Sequence, residues 1–269
     1  MEKSLKEKFS KLKKNIKDMG PFVLAYSGGV DSAFLLKVGY DILGKDIIAV
    51  TAQSETYPES ELQKAIVFAK NIGSRHEVIK TEELNNSNFM SNPPNRCYYC
   101  KSELFKKLAD IAKIKKIKWV CDGTNIDDLK DIRPGRTAAR EFGICSPLLD
   151  AKLTKEDIRN LSRELGLPTW DKPPLACLSS RIPYGEKITK ENLGKIEEAE
   201  KYISLMGFKS YRVRAHGNLA RIEVEPSDIE RFNQKDIRDK INTKLKTLGF
   251  IYITLDLQGY RLGSMNEMI

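Results

Sequence analysis

Nowhere in this 269-residue sequence does an apolar run approach the ~20 residues that a membrane-spanning helix requires. The N-terminus also lacks the uninterrupted apolar segment of a secretory signal. Instead Leu5, Phe9, Leu12, Ile16 and Met19 recur at spacings of four and three among lysines, which predicts an amphipathic helix. These absences point to a cytoplasmic protein with no membrane partner. Cysteine is scarce, with five residues, and in a reducing compartment metal binding or catalysis outranks disulfides as their use. Acidic residues number 37 against 46 basic ones, and the net charge of +9 favours anionic partners: nucleotides, phosphorylated metabolites or RNA. A soluble protein with a basic surface carries the same charge, so charge alone does not choose among them. Internal repeats and low-complexity tracts are absent, as is the Walker signature ending in Gly-Lys-Ser/Thr.

A hydrophobic content of 41% is enough for one large core and a smaller second one. From residue 21 to about 149, short β-branched runs alternate with helix-like stretches. Residues 22–26 (FVLAY), 47–52 (IIAVTA), 76–79 (HEVI) and 117–121 (IKWVC) read as strands, and 31–43, 59–72 and 102–112 as helices. That alternation predicts an α/β fold with a doubly wound parallel sheet. Thr154 with Asp157 three residues on reads as a capping box opening another helix, which ends near Gly166 and Pro168. The following stretch, WDKPPLACLSSRIPYG, sustains neither a helix nor a central strand. Residues 189–269 then read as helix, two strands around a His216-Gly217-Asn218 turn, helix and strand. The predicted organisation is an α/β domain over 1–168, a cysteine-bearing linker over 169–188, and a small α+β domain over 189–269 for substrate binding or oligomerisation.

The sharpest chemical signal is Ser27-Gly28-Gly29-Val30-Asp31-Ser32, set between a strand and a helix. Glycines there let the backbone turn tightly and approach a ligand, so that loop and helix-terminal N–H groups meet phosphate oxygens. Ser27 and Ser32 add hydroxyls. Asp31 suits an anion site only if a cation intervenes, which assigns it to a Mg²⁺ bridging to pyrophosphate. The string resembles the PP-loop of ATP pyrophosphatases, a group that includes GMP synthetase, NAD synthetase, argininosuccinate synthetase and the tRNA thiolases. That resemblance implies adenylation of a substrate by ATP with release of pyrophosphate.

Cys97-Tyr98-Tyr99-Cys100 is a C-x-x-C in a loop entered through Asn92-Pro93-Pro94-Asn95 and followed by a helix. Two thiolates at this spacing bind one metal or two corners of an iron–sulfur cluster, with a redox dithiol as the competing reading. Cys177 lies in the proline-rich loop near Arg181 and Lys172, a cationic setting suited to thiolate chemistry. Cys121 and Cys145 read as packing residues. If Cys97, Cys100 and Cys177 converge, they supply three ligands to a 4Fe-4S cluster and leave one iron for an exogenous ligand such as hydrosulfide.

With these residues in place the chain closely resembles the LarE family of ATP-dependent sulfur transferases of nickel-pincer nucleotide biosynthesis. The likeness runs through SGGVDS, DGTNIDDLKDIRPG from Asp122, ACLSSRIPYG from Ala176, YRVRAHGNLARIE from Tyr211 and GYRLGSMNE near the end. It implies adenylation of the carboxylates of a pyridinium dicarboxylate mononucleotide and their conversion to thiocarboxylates. Some members sacrifice the sulfur of a cysteine at the Cys177 position. Those with the added C-x-x-C look like cluster-dependent enzymes that accept sulfide, and this sequence carries that feature. Cluster-containing tRNA thiolases are similar, but their extra N-terminal zinc-binding cysteines are missing. Arg212 and Arg214 alternate on one strand face and could grip one phosphate or carboxylate. Ser180 and Arg181 read as further substrate anchors, Lys101 as a charge stabiliser for the adenylate, and Asp122, Asn125 and Asp128 as nucleotide-binding residues beyond a strand end. Glu200 and Glu223 are weaker substrate candidates, expected to face water. The implied partners are a small nucleotide, a sulfide donor, no nucleic acid, and further copies of the chain. Single-turnover sacrifice of Cys177, tRNA thiolation, amidation with ammonia and nucleotide sensing without turnover are the competing functions.

Overall fold

The computed structural model describes residues 3–129, 134–174, 176–261 and 264–265. Residues 130–133 of the DGTNIDDLKDIRPG string, and residues 262, 263, 266 and 267 of GYRLGSMNE, lie outside the described set. Contacts divide the chain into two compact units, residues 1–83 with 95–175, and residues 84–94 with 176–269.

The first unit opens with α1 (Lys3–Met19), which buries Leu5, Leu12 and Ile16 on one stripe and leaves its lysines outside. There follow β1 (Phe22–Ala25), α2 (Val30–Leu43), β2 (Ile47–Gln53), α3 (Glu59–Ile72) and β3 (Arg75–Lys80). The short α4 (Ser87–Met90) belongs to the second unit. The chain returns with α5 (Arg96–Ile114), β4 (Trp119–Cys121), α6 (Gly135–Glu141), α7 (Pro147–Asp150) and α8 (Lys155–Glu164). All four strands are parallel, in the order β3-β2-β1-β4.

Alternate residues of the strands feed cores on opposite faces, as a sheet covered on both sides requires. Phe22, Leu24, Ala49 and Cys121 pack with Leu12, Phe34, Phe68 and Ile158 of the flanking helices. Val23, Ile48, Val50 and Val120 pack with Phe105, Leu108 and Ala138. Close seating of α2 needs Gly39, because a Cβ there would stand 2.4 Å from Ile47 Cδ1. Relative to the sequence reading, α5 begins six residues earlier, directly after Pro93-Pro94-Asn95. Cys97 and Cys100 therefore sit in its first two turns and not in a preceding loop.

The order β3-β2-β1-β4 has one consequence for chemistry. The chain leaves β1 toward β2 on one side, and β3 later crosses to β4 on the other. The loops after β1 and β4 thus flank a topological switch point at the C-terminal ends of the strands, where open α/β sheets bind ligands.

The second unit contains α4, α9 (Lys190–Leu205), the antiparallel pair β5 (Tyr211–His216) and β6 (Leu219–Val224), α10 (Lys235–Thr247) and β7 (Tyr252–Leu255), which runs parallel to β6. Gly217, at φ +54°, makes the hairpin turn. Residues 84–94, which the sequence pattern gave to the first domain, are drawn into this unit by Asn92. Its buried amide donates to the Ile182 and Pro183 carbonyls, and its own carbonyl accepts from Gly185 N–H.

The capping box predicted at α8 is formed: Thr154 Oγ1 accepts from Asp157 N–H, and Asp157 returns a bond to Thr154 N–H. Thr154→Ala should lower stability by about 1 kcal/mol in urea denaturation, with Thr154→Ser near wild type. An unchanged midpoint for the alanine variant would show that the cap contributes nothing.

Candidate active site

The loop after β1 is shaped by its own residues. Gly28 has φ +63°, and a Cβ there would stand 2.8 Å from Ala65 Cβ, so backbone freedom and close approach to α3 both demand glycine. Ser32 Oγ accepts from Ser27 N–H at 3.2 Å and lies 3.2 Å from Ser27 Oγ, which ties the two ends of the loop together. Gly29 begins α2 without a side-chain cap. The first-turn N–H groups of α2, which have no intrahelical acceptors, are thereby left to an anion. Tyr57 donates to the Ser27 carbonyl at 2.7 Å, and burial, with Glu61 nearby, pushes its phenol up so that it stays a donor. Lys172 donates to the Gly28 carbonyl at 2.9 Å and pairs with Glu61 at 2.6 Å. Burial alone would raise the Glu61 carboxyl, but Lys172 and Lys64 hold it below the usual carboxylate range.

The loop after β4 closes on this one across the switch point. Gly123 sits where a Cβ would be 3.0 Å from Ser32 N and 3.2 Å from Asp31 Cβ, so any side chain would press on the first turn of α2. Asp122 accepts from Thr124 N–H, Thr124 Oγ1 and Ser146 Oγ. Asn125 is buried; its N–H donates to Asp128 Oδ2 and its amide to Asp31 Oδ1 at 3.3 Å. The other Asp31 oxygen accepts from Lys155 Nζ at 2.5 Å, and Lys155 N–H donates to Asp127 Oδ2. Asp31, Asn125 and Lys155 thus form one clasp. Asp122 and Asp128 shape the backbone around it.

Cys97 and Cys100 lie three residues apart at the start of α5, a spacing that puts both side chains on one helix face. Cys100 Sγ donates to Glu83 Oε1 at 3.5 Å, and burial raises the Glu83 carboxyl. Lys101 lies beside the Phe105 ring and against Gly135. All five cysteines are thiols. Among the described residues no three His, Cys, Asp or Glu side chains stand close enough together to hold a metal ion. The donor chemistry of the Cys97–Cys100 pair suits two corners of an iron–sulfur cluster.

In the second unit the acidic residues expected to face water are buried. Arg181 makes a two-pronged pair with Glu200 at 2.9 and 3.0 Å and donates to the Ala176 and Cys177 carbonyls and to Ser180 Oγ. Arg214 makes a second with Glu223 at 3.0 and 2.8 Å, and reaches the Ser180 carbonyl and Ser264 Oγ. These guanidinium groups hold Cys177 and Ser180 in place from within. Arg212, the neighbouring arginine, lies over the Tyr260 ring and donates to the Tyr211 carbonyl. Burial and the nearby Arg181 charge lower its pKa, against the opposing effect of Glu200.

Known proteins match this chain along most of its length. It is 38% identical over 255 residues, 94% of this chain and 92% of the relative, to the pyridinium-3,5-bisthiocarboxylic acid mononucleotide synthase of Lactiplantibacillus plantarum. The chain belongs to the LarE family. An uncharacterised protein of Synechocystis is 44% identical over 98% of this chain and 99% of its own. More distantly, a glutamine-hydrolysing GMP synthase component of Thermoplasma volcanium is 25% identical over 71% of this chain and 66% of its own. The NAD synthase family model matches residues 3–98, the portion holding the PP-loop. As a LarE-family member the protein is an ATP-dependent sulfurtransferase built on a PP-loop domain.

Sequence reading of this LarE-family chain singled out Asp31 and Asn125, which the structure brings together. It missed Lys155, Glu61, Tyr57 and Gly123. Lys155 and Glu61 gave no local signal, because their partners lie 124 and 111 residues away; Lys172 was noted only as a charge near Cys177. Gly28→Ala would add about 1–3 kcal/mol of left-handed strain to the 2.8 Å contact. It should weaken ATP binding about tenfold or more in titration calorimetry. Gly20→Ala, also at positive φ but in open space, should leave ATP affinity unchanged. Glu223→Ala should destabilise the protein by about 3–5 kcal/mol in urea, because Arg214 would be left buried without its counter-charge. A stability within error of wild type would return Arg214 to the role of a ligand anchor.

Proposed function

We propose that this protein makes thiocarboxylates on a pyridinium mononucleotide in two steps. A substrate carboxylate attacks the α-phosphate of ATP, giving an acyl adenylate and pyrophosphate. Hydrosulfide then attacks the acyl carbon and expels AMP, giving a thiocarboxylate and one proton. The observation that carries the reading is the uncapped start of α2 at the switch point, with the Asp31–Asn125–Lys155 clasp beside it. The N–H groups of that turn, with Ser27 and Ser32, would cradle pyrophosphate. Asp31 would hold a Mg²⁺ shared with the phosphates, and Lys155, released from Asp31, would meet the charge that develops on the leaving group. The function named for the Lactiplantibacillus relative supplies the substrate class.

Cys97, Cys100 and Cys177 would hold a 4Fe-4S cluster, which when bound offers an open iron site for hydrosulfide. Their thiol chemistry and the helix-face spacing of the first two support this assignment. Lys101 would stabilise the adenylate. In the second unit Arg212 would meet the substrate's phosphate or carboxylate, while Arg181, Arg214, Glu200 and Glu223 fix the segment that carries Cys177 and Ser180.

The test is an anaerobic assay that follows pyrophosphate, AMP and product mass together. Asp31→Asn should reduce pyrophosphate release roughly 10²–10³-fold. Cys97→Ala and Cys177→Ala should preserve pyrophosphate release yet abolish repeated sulfur transfer and lower iron content. An iron-free protein that transfers one sulfur and loses the mass of hydrogen sulfide at Cys177 would replace the cluster with sacrifice. Pyrophosphate release dependent on tRNA, and not on the pyridinium nucleotide, would overturn the substrate.

A further inference from the structure

Two cysteines outside this scheme face each other at the end of the parallel sheet. Cys121 ends β4, and Cys145 is its partner in a parallel bridge. Cys145 N–H donates to the Val120 carbonyl and Asp122 N–H to the Cys145 carbonyl, both at 2.9 Å, so Cys145 straddles Cys121 in register. Adjacent strands run about 4.8 Å apart, within the ~4.4–6.8 Å Cα separation that a disulfide spans. Both side chains pack into the same core, Cys121 within it and Cys145 at its edge.

Their surroundings differ in a way that divides the labour. Cys121 is fully buried, with Sγ 3.5 Å from Met19 Sδ. Cys145 is half-buried and lines an open surface cleft of about 500 Å³ with Lys11, Asn15, Asp18, Trp119 and Asp150. The neighbouring Cys121 lowers the Cys145 thiol, against the opposing effects of burial and of Asp150 and Asp122. The neighbouring Cys145, together with burial, pushes Cys121 up. Cys145 is therefore the sulfur that a small disulfide can reach from the cleft, and Cys121 lies behind it. A pair with a solely packing role needs neither the cleft nor the asymmetry.

We propose that Cys145 and Cys121 form a thiol–disulfide exchange site that takes a low-molecular-weight disulfide, with Cys145 as the attacking and Cys121 as the resolving thiol. The Cys145 thiolate attacks one sulfur of R–S–S–R, forming Cys145–S–S–R and releasing RS⁻. Cys121 sulfur then attacks Cys145 Sγ, and the second RS⁻ departs. The two protons of the cysteine pair leave with the two RSH molecules. The protein dithiol is oxidised by two electrons and the small disulfide is reduced by two. The product bond would link the strand ending at Cys121 to the segment carrying Ser146, whose hydroxyl holds the adjacent Asp122. Excess RSH reverses the reaction.

The experiment exposes the full-length protein to glutathione disulfide under anaerobic conditions, quenches with an alkylating agent and maps the peptides by mass. In wild type, a Cys121–Cys145 disulfide should accumulate with little glutathione retained. Cys121→Ser should trap glutathione on Cys145, and Cys145→Ser should leave Cys121 reduced at least tenfold longer than in wild type. A variant lacking Cys97, Cys100 and Cys177 should still form the bridge, which keeps this result separate from any outcome at those residues. A stable glutathione adduct on Cys145 in wild type, or full retention of both thiols while the other cysteines react, would overturn the proposal. The wild-type map decides the matter even if a serine variant does not fold.

Discussion

Three segments far apart in sequence meet at one carboxylate. Asp31 stands in the first turn of α2, Asn125 on the loop after β4, and Lys155 at the start of α8. The Asp31–Lys155 pair is partly exposed on both sides, and such pairs contribute only about 0–1 kcal/mol, too little to hold two loops together. What brings them together is backbone: Gly28 against α3, Gly123 against α2, and the order β3-β2-β1-β4, which puts the two loops side by side. The weak pair therefore has another consequence. It sets a carboxylate and an ammonium side by side at the start of α2, where the proposed reaction would divide them between a cation and an anion.

The second unit uses the same kinds of side chain differently. Arg181–Glu200 and Arg214–Glu223 are buried and two-pronged, and their remaining donors go to carbonyls and hydroxyls around Cys177 and Ser180. Arginine suits this because its planar fork satisfies a carboxylate and still has donors to spare. Removing one partner of such a pair costs far more than the pair gains. That asymmetry favours rigidity in the segment carrying Cys177.

Much of the fold was legible because periodicity is local. The four parallel strands and α2, α3 and α8 follow from apolar runs, glycine turns and the Thr154 capping box, and SGGVDS marked the phosphate loop. The misreadings share a cause. Prolines at 93 and 94 suggested an extended loop through Cys97, yet proline is well tolerated just before a helix, and α5 starts at once. Asn92 ties residues 84–94 to Ile182 and Pro183, about ninety residues away, and Glu223 finds Arg214 across a hairpin. A charged residue in a strand reads as solvated unless its partner is known, and the separation of nine residues between Arg214 and Glu223 does not show which side chains the hairpin register brings together.

The two cysteine groups show how the same element acquires different chemistry from its backbone setting. In α5 the helical repeat places Cys97 and Cys100 on one face at the positive end of a helix dipole, where negative sulfur is favoured and more ligands can approach from outside. At β4 the parallel register sets Cys121 and Cys145 side by side, one in the core and one at a cleft. Each of that pair has its natural partner already beside it, so its chemistry is exchange between two sulfurs and not capture of a metal. From sequence alone Cys121 and Cys145 looked like packing residues, because the bridge that makes them a pair spans 24 positions and depends on the strand register.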